Sequence, residues 1–329
     1  MNIVVAEAGS ADRIRVPCAS RVIVALASIG LTCLSAAGAA QTSAGPPMSM
    51  PTLTPLPKPK YDNEVYLYPD HIVKGPDEQW ETYLGGPIVR NVINPTLVPM
   101  LPAPSSENGT AIVYAPGGGF QYLGMNDPEI QKLRDAGVTV FVLKYRTQPV
   151  PRDPHEYMTG LFKYLFDRVG QMKQSGAWNE KPLHAYPQAL EDGLAAMRYV
   201  RGHAAQWHID PNRIGMMGGS AGAMMAIDVA YTKDGLARPD FVVAVIPPKN
   251  VDDVPATAPP LFVAASVDDP LFPGSEENIV AQWSRAGRPV EAHFYERGGH
   301  GLAKETTGAR WFEGCKAWLQ QHGWLTPVR

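Results

Sequence analysis

A succession of short apolar runs, most of them without polar alternation, restricts the fold of this chain more than any other feature. They are Thr110–Ala115, Val138–Lys144, Ile214–Met217, Phe241–Ile246, Leu261–Ala265 and Val290–Tyr295, the last with partial alternation. Runs this short and this continuous suit strands covered on both faces, which means a parallel sheet. Helical patterns lie between them. Pro187–Trp207 places Leu190, Leu194, Met197 and Val200 near helical spacing, with Pro187 suited to a first turn. Ala221–Tyr231 is rich in small residues and Met, as a helix lying close on a sheet would be, and further helical stretches surround Glu276–Trp283 and Trp311–Leu319. The alternation predicts an α/β fold, a three-layer sandwich with a mostly parallel central sheet. One stretch breaks the rhythm. His155–Tyr186 reads as a small helical insertion, either a cap over a cleft or an excursion packed on the body of the domain.

The sequence before this region is of another kind. Arg13, Arg15 and Arg21 precede an apolar stretch from Val22 to Leu34, and small residues follow from Ser35 to Ala40. That order predicts a secretory signal peptide over residues 1–40, cleaved after Ala39 or Ala40. The apolar stretch is shorter than the roughly 20 residues of a membrane span; an uncleaved anchor is the alternative. Residues 41–60, rich in Pro, Thr, Ser and Met, read as a flexible linker, and residues 61–329 as the folded domain. The expected location is the periplasm or the medium, with no stable membrane span once the signal is removed. Cys18 and Cys33 fall in the signal, which leaves Cys315 without a partner for a disulfide.

Chemistry enters at Gly218-Gly219-Ser220-Ala221-Gly222. A serine between glycines, after an apolar strand and before a helix, matches the G-x-S-x-G nucleophile elbow, in which close backbone neighbours leave no room for side chains two positions away. An idle serine in a Gly-rich turn is the alternative, and the strand–turn–helix setting argues against it. Upstream, the Thr110–Ala115 run ends in Pro116-Gly117-Gly118-Gly119-Phe120. Such a loop can turn backbone N–H groups toward a developing oxyanion. Gly118 and Gly119 are the expected donors, with the Ala221 N–H as third. Phe120 and Tyr122 follow these glycines and are candidates to line a substrate pocket, or else core aromatics. A phosphate loop is disfavoured, because no Lys-Ser/Thr follows.

Downstream, Leu261–Ala265 leads to Ser266-Val267-Asp268-Asp269-Pro270, and Val290–Tyr295 leads to Gly298-Gly299-His300-Gly301. An acid and a histidine at successive strand ends complete a Ser–Asp–His order. Asp269 is the favoured acid, with its neighbour Asp268 as the alternative, and His300 is the expected base. His203 and His208 lie on or after the Pro187 helix, and His293 lies inside a strand. No His/Asp/Glu cluster has metal-ligand spacing, so no metal and no cofactor is expected.

Pro116-Gly117-Gly118-Gly119-Phe120, Ala189-Leu190-Glu191-Asp192-Gly193, Trp207-His208-Ile209-Asp210-Pro211-Asn212-Arg213-Ile214-Gly215 and Gly219-Ser220-Ala221-Gly222 occur in this order. Together they resemble the bacterial α/β-hydrolase esterases with acetyl-xylan-esterase-like and feruloyl-esterase-like members, over roughly Tyr61 to Leu325. The resemblance extends to the hormone-sensitive-lipase-like esterases, whose glycine loop normally begins with His where Pro116 stands here. It implies the α/β-hydrolase fold, an oxyanion role for the glycine loop, and ester rather than peptide substrates. The segment between Arg146 and Pro187 is longer than compact members of that group would suggest.

The expected function is a serine carboxylic-ester hydrolase working through an acyl-enzyme on acetyl or other short acyl esters, those of carbohydrates included. A serine peptidase of the same fold and a non-catalytic hydrolase-fold binding protein are the alternatives. A formal net charge of −3 supplies no global basic field for nucleic acid. The expected partner is a small-molecule or carbohydrate ester.

Overall fold

The computed structural model describes residues 51–175, 182–272, 277–302 and 309–327; residues 1–40, expected to be a signal peptide, and residues 41–50 of the expected linker lie outside them. In chain order the strands and helices begin with β1 (Thr54–Pro55), β2 (Val65–Tyr66), β3 (Gln79–Tyr83), β4 (Gly86–Arg90), β5 (Thr96–Met100), β6 (Ala111–Ala115) and β7 (Tyr122–Gly124). Helix α1 (Pro128–Asp135), β8 (Thr139–Lys144), α2 (Pro154–Ser175), α3 (Pro187–Gly202), β9 (Ile214–Gly219) and α4 (Ala221–Ala230) follow. The last elements are β10 (Val242–Val245), β11 (Leu261–Ser266), α5 (Glu277–Arg285), β12 (Val290–Tyr295) and α6 (Ala309–Gln321).

Each of the apolar runs is a strand of one sheet, ordered β12-β11-β10-β9-β6-β8-β5-β2. From β12 to β8 every pairing is parallel, and β5 and β2 complete the sheet antiparallel. Alternate residues of one strand enter different cores, which explains the lack of polar alternation. Val113, Phe141 and Val263 pack with α3, α4 and α5, whereas Ile112, Val140 and Phe262 pack with α1 and α6. Edge strand β12 is only half-buried along its length, in keeping with its partial alternation. Cys315 is fully buried on α6.

Beside this sandwich lies a smaller antiparallel sheet, β1-β3-β4-β7. It corrects the linker boundary: β1 pairs with β3, and Leu53 is buried in a cluster with Ile88, so residues 51–60 include ordered backbone. Short elements broken by Pro carry too little periodicity to be recognised as strands. Helix α2 occupies most of the interrupting segment and packs Tyr157, Met158 and Leu161 on this small sheet, against Leu53, Ile88, Tyr83 and Tyr122. Strand β7 follows the glycine loop directly, so the small sheet anchors the far end of that loop.

Candidate active site

Parallel strands deliver their carboxyl ends to one rim of the sheet, and in open α/β sheets ligands bind outside that rim. The ends of β6, β9, β11 and β12 carry the glycine loop, Ser220, the two aspartates and His300 respectively.

Ser220 sits between β9 and α4 with φ 54° and ψ −114°, a sparsely populated conformation for a residue with a side chain. Its N–H donates to the Val245 carbonyl at 2.9 Å, tying the turn to β10. The flanking glycines are required by close approach. A Cβ on Gly222 would lie 1.9 Å from the Ala115 carbonyl oxygen, and one on Gly218 would lie 2.3 Å from the Gly222 backbone.

The Ser220 Oγ lies 2.8 Å from His300 Nε2, and His300 Nδ1 lies 2.8 Å from Asp269 Oδ2. A carboxylate at Nδ1 selects the tautomer in which Nδ1–H donates and Nε2 accepts the serine hydroxyl. Asp269 is 2% exposed, and its Oδ1 accepts the N–H groups of Leu271 at 2.8 Å and Phe272 at 3.1 Å. Burial opposes its ionisation, but His300 and these two N–H donors outweigh burial and hold the carboxyl below its ordinary value. The Phe272 ring stands edge-on to the imidazole, with centroids 5.1 Å apart. Asp268 points elsewhere: its Oδ1 accepts the Gly299 N–H at 2.8 Å.

The glycine loop folds on itself. The Gly118 carbonyl accepts the N–H groups of Gln121 at 3.0 Å and Tyr122 at 3.2 Å, and the Gly117 carbonyl accepts that of Gly124 at 3.1 Å. Gly118 has φ 140°, and a Cβ there would lie 1.9 Å from the Tyr122 carbonyl oxygen. Among the described residues, the N–H groups of Gly118, Gly119 and Ala221 have no backbone or side-chain acceptor. Ala221 opens α4, where the helix end favours negative charge. Gly117 was not singled out from the sequence, yet its Cβ position is 3.5 Å from Ser220 Cβ, beside the nucleophile. Tyr145, also unanticipated, donates its hydroxyl to the Pro116 carbonyl at 2.7 Å.

Phe120 is 5% exposed and packs in the core with its ring 5.9 Å from that of Tyr145, so it is a core aromatic and not a pocket wall. Its place after three glycines did not distinguish the two. Tyr122 is partly exposed and meets Tyr83 edge-on at 5.8 Å. A cavity of about 150 Å³ lies against the elbow, lined by Tyr114, Asp127, Gly218, Gly219, Gly301 and Leu302 among others. A larger one of about 560 Å³, between β2 and α3, is lined by Tyr68 and Arg146 and touches neither Ser220 nor His300. Among the described residues no group of three or more His, Cys, Asp or Glu could hold a metal ion, and no helix is long and apolar enough to cross a membrane.

The chain has the α/β-hydrolase fold. A family model described as alpha/beta hydrolase fold, Abhydrolase_3, matches residues 175–258. An acetylxylan esterase of Xylanibacter ruminicola is 24% identical over 263 residues, 68% of this chain and 47% of that protein. The chain therefore spans about half the length of that curated relative. Among solved structures, an acetyl ester-xyloside bifunctional hydrolase from Caldicellulosiruptor lactoaceticus is 26% identical with a TM-score of 0.54, over 71% of this chain and 90% of that one. Thermogutta terrifontis esterase 2 with propionate bound shares the fold at 18% identity, with a TM-score of 0.52 over 75% of this chain and 97% of that one.

Proposed function

We propose that this chain is a serine carboxylic-ester hydrolase, working through an acyl-enzyme on acetyl or other short acyl esters of carbohydrates. The observation that carries the reading is the unbroken Asp269–His300–Ser220 hydrogen-bonded series, beside backbone N–H groups that have no acceptor among the described residues. The relatives named for acetylxylan and acetyl ester substrates support acetyl as the acyl group.

In this scheme Ser220 Oγ adds to the ester carbonyl while its proton passes to His300 Nε2. The resulting imidazolium is stabilised by Asp269, whose carboxyl is held ionised by the same contacts. The negative oxygen of the tetrahedral intermediate faces the N–H groups of Gly118, Gly119 and Ala221, which are fixed before the reaction and need no reorganisation. Collapse expels the alcohol, which takes the proton from His300. Water then enters, gives a proton to the same nitrogen and adds to the acyl carbon; as this second intermediate collapses, His300 returns the proton to Ser220 Oγ and the acid leaves. Tyr122 is the proposed wall residue. Helix α2, on the small sheet next to Tyr122, is proposed to border the substrate-binding side. Action on cell-wall carbohydrate esters suits the periplasmic or secreted location that residues 1–40 suggest.

Hydrolysis of short-chain p-nitrophenyl esters and of acetylated xylan, by the native chain and by Ser220→Ala, tests the reading. Loss of Ser220 is expected to lower kcat by about 10⁶. No turnover by the native chain across acyl lengths would refute the esterase assignment, and turnover of dipeptide amides in its place would favour a peptidase. Undiminished turnover by Ser220→Ala would refute the site.

A further inference from the structure

The two aspartates after β11 are adjacent in sequence and divided in what they hold. We infer that Asp268 is a positioning residue for the base: its carboxylate fixes the backbone of the His300 loop while Asp269 fixes the imidazole. The inference rests on the proposed roles of Ser220, Asp269 and His300.

Strands β11 and β12 run together until the Val267 N–H donates to the Tyr295 carbonyl at 2.8 Å. Past that bond the strand pairing ends and both segments continue as loops. The loops are joined at Asp268 Oδ1 with the Gly299 N–H, 2.8 Å, and at Asp269 Oδ2 with His300 Nδ1, 2.8 Å. Consecutive residues thus grip consecutive residues, one by backbone and one by side chain.

The loop needs such a grip because of its composition. Gly298, Gly299 and Gly301 have φ of 152°, 58° and 158°, so His300 sits among residues with wide backbone freedom. The Gly301 N–H donates to the Gly299 carbonyl, 3.1 Å away and inside the same loop. A bond from Asp269 to the imidazole alone fixes the ring end of His300 and leaves its Cα free to swing. Asp268 supplies the second point, one residue from that Cα. An anionic acceptor on a backbone N–H is also stronger than a neutral one.

The acceptor, not the charge, is what the geometry uses, and this sets the test. Asp268→Ala, Asp268→Asn and Asp269→Asn are compared in kcat and KM for two esters with unrelated alcohols. The rate at which a fluorophosphonate probe labels Ser220 is measured alongside, with thermal melting to confirm folding. Asp268→Ala is expected to lower kcat and the labelling rate about tenfold with KM little changed, as misplacement of a base would. Asp268→Asn, whose Oδ1 still accepts from Gly299, is expected to recover most of that loss.

Wild-type labelling in a folded Asp268→Ala would overturn the inference. So would a loss confined to KM, or an Asn variant as impaired as the Ala variant. Labelling needs no ester, so it tests Asp268 even where the native chain hydrolyses none, an outcome that would refute the proposed function alone. A loss of about 10⁴ in Asp268→Asn with little change in Asp269→Asn would instead exchange the two roles and overturn both assignments.

Discussion

The Tyr145 hydroxyl, fully buried, donates to the Pro116 carbonyl at 2.7 Å. Pro116 opens the glycine loop, and Tyr145 directly follows β8, which pairs with β6, so this bond ties the start of the loop to the end of the neighbouring strand. Burial pushes the Tyr145 phenol well above its usual range, which keeps it a donor at any working pH. Tyr145→Phe leaves the carbonyl buried and unpaired, at a cost of about 1–3 kcal/mol. The expected outcome is a lower melting temperature together with a fall in kcat larger than any rise in KM, because a displaced loop weakens transition-state binding most. Unchanged kcat in the folded variant would show that the loop is positioned without Tyr145.

The elbow makes a sharper contrast between neighbouring glycines. Gly222→Ala brings a methyl group to 1.9 Å from the Ala115 carbonyl oxygen, backbone that cannot give way without moving β6. Gly219→Ala meets nothing within 4 Å. The first is expected to lose more than about 3 kcal/mol or fail to accumulate in soluble form; the second is expected to fold close to wild type. Soluble yield and urea denaturation of the two variants read the difference directly. Equal tolerance would mean that the elbow is looser than its geometry.

The central sheet, and the meeting of Ser220, His300 and Asp269 at its rim, were legible because their signals are local. Continuous apolar runs mark strands buried on both faces, and each chemical residue follows such a run within a few positions. The small sheet was not legible: β1 and β7 are two and three residues long, and their pairing partners are distant in sequence. The same limit hid Tyr145, whose place beside the glycine loop comes from what the fold sets next to it. Asp268 and Asp269 are neighbours after the same strand, so the sequence favoured Asp269 without excluding Asp268. The course of the Gly298–Gly301 loop separates them in space, with Asp268 on the Gly299 N–H and Asp269 on the His300 ring.

Arg90 is a buried charge on the small sheet, fully shielded from solvent. Its guanidinium binds both Glu81 oxygens, at 2.7 and 2.8 Å, and donates to the carbonyls of Pro151 and Arg152 just before α2. The pair thus ties the small sheet to the inserted helix. Glu81→Gln leaves the guanidinium without its counter-ion and is expected to cost about 3–5 kcal/mol. Replacing both residues with apolar ones of similar size is expected to recover much of that. Chemical denaturation of the single and double variants measures both effects, and a single variant as stable as wild type would show that the two carbonyls suffice.

Asp127 joins stability to pH beside the elbow. Its Oδ2 accepts the Tyr114 hydroxyl at 2.5 Å, and its Oδ1 accepts the Glu129 N–H at 3.0 Å at the start of α1. Burial, with the nearby Glu129 carboxyl, pushes its pKa from 3.8 up to about 6. A carboxyl with a folded value above its unfolded one favours the folded state while protonated. That contribution is complete below about pH 4 and is lost as pH rises through about 6. Asp127→Asn keeps one acceptor oxygen and cannot ionise, so its stability lacks this component. Between pH 4 and pH 7 the stability of Asp127→Asn relative to wild type is therefore expected to rise, by up to about 3 kcal/mol. Urea denaturation of both proteins at pH 4, 5, 6 and 7 measures the difference. A difference that stays flat across that range would mean that Asp127 is ionised throughout it.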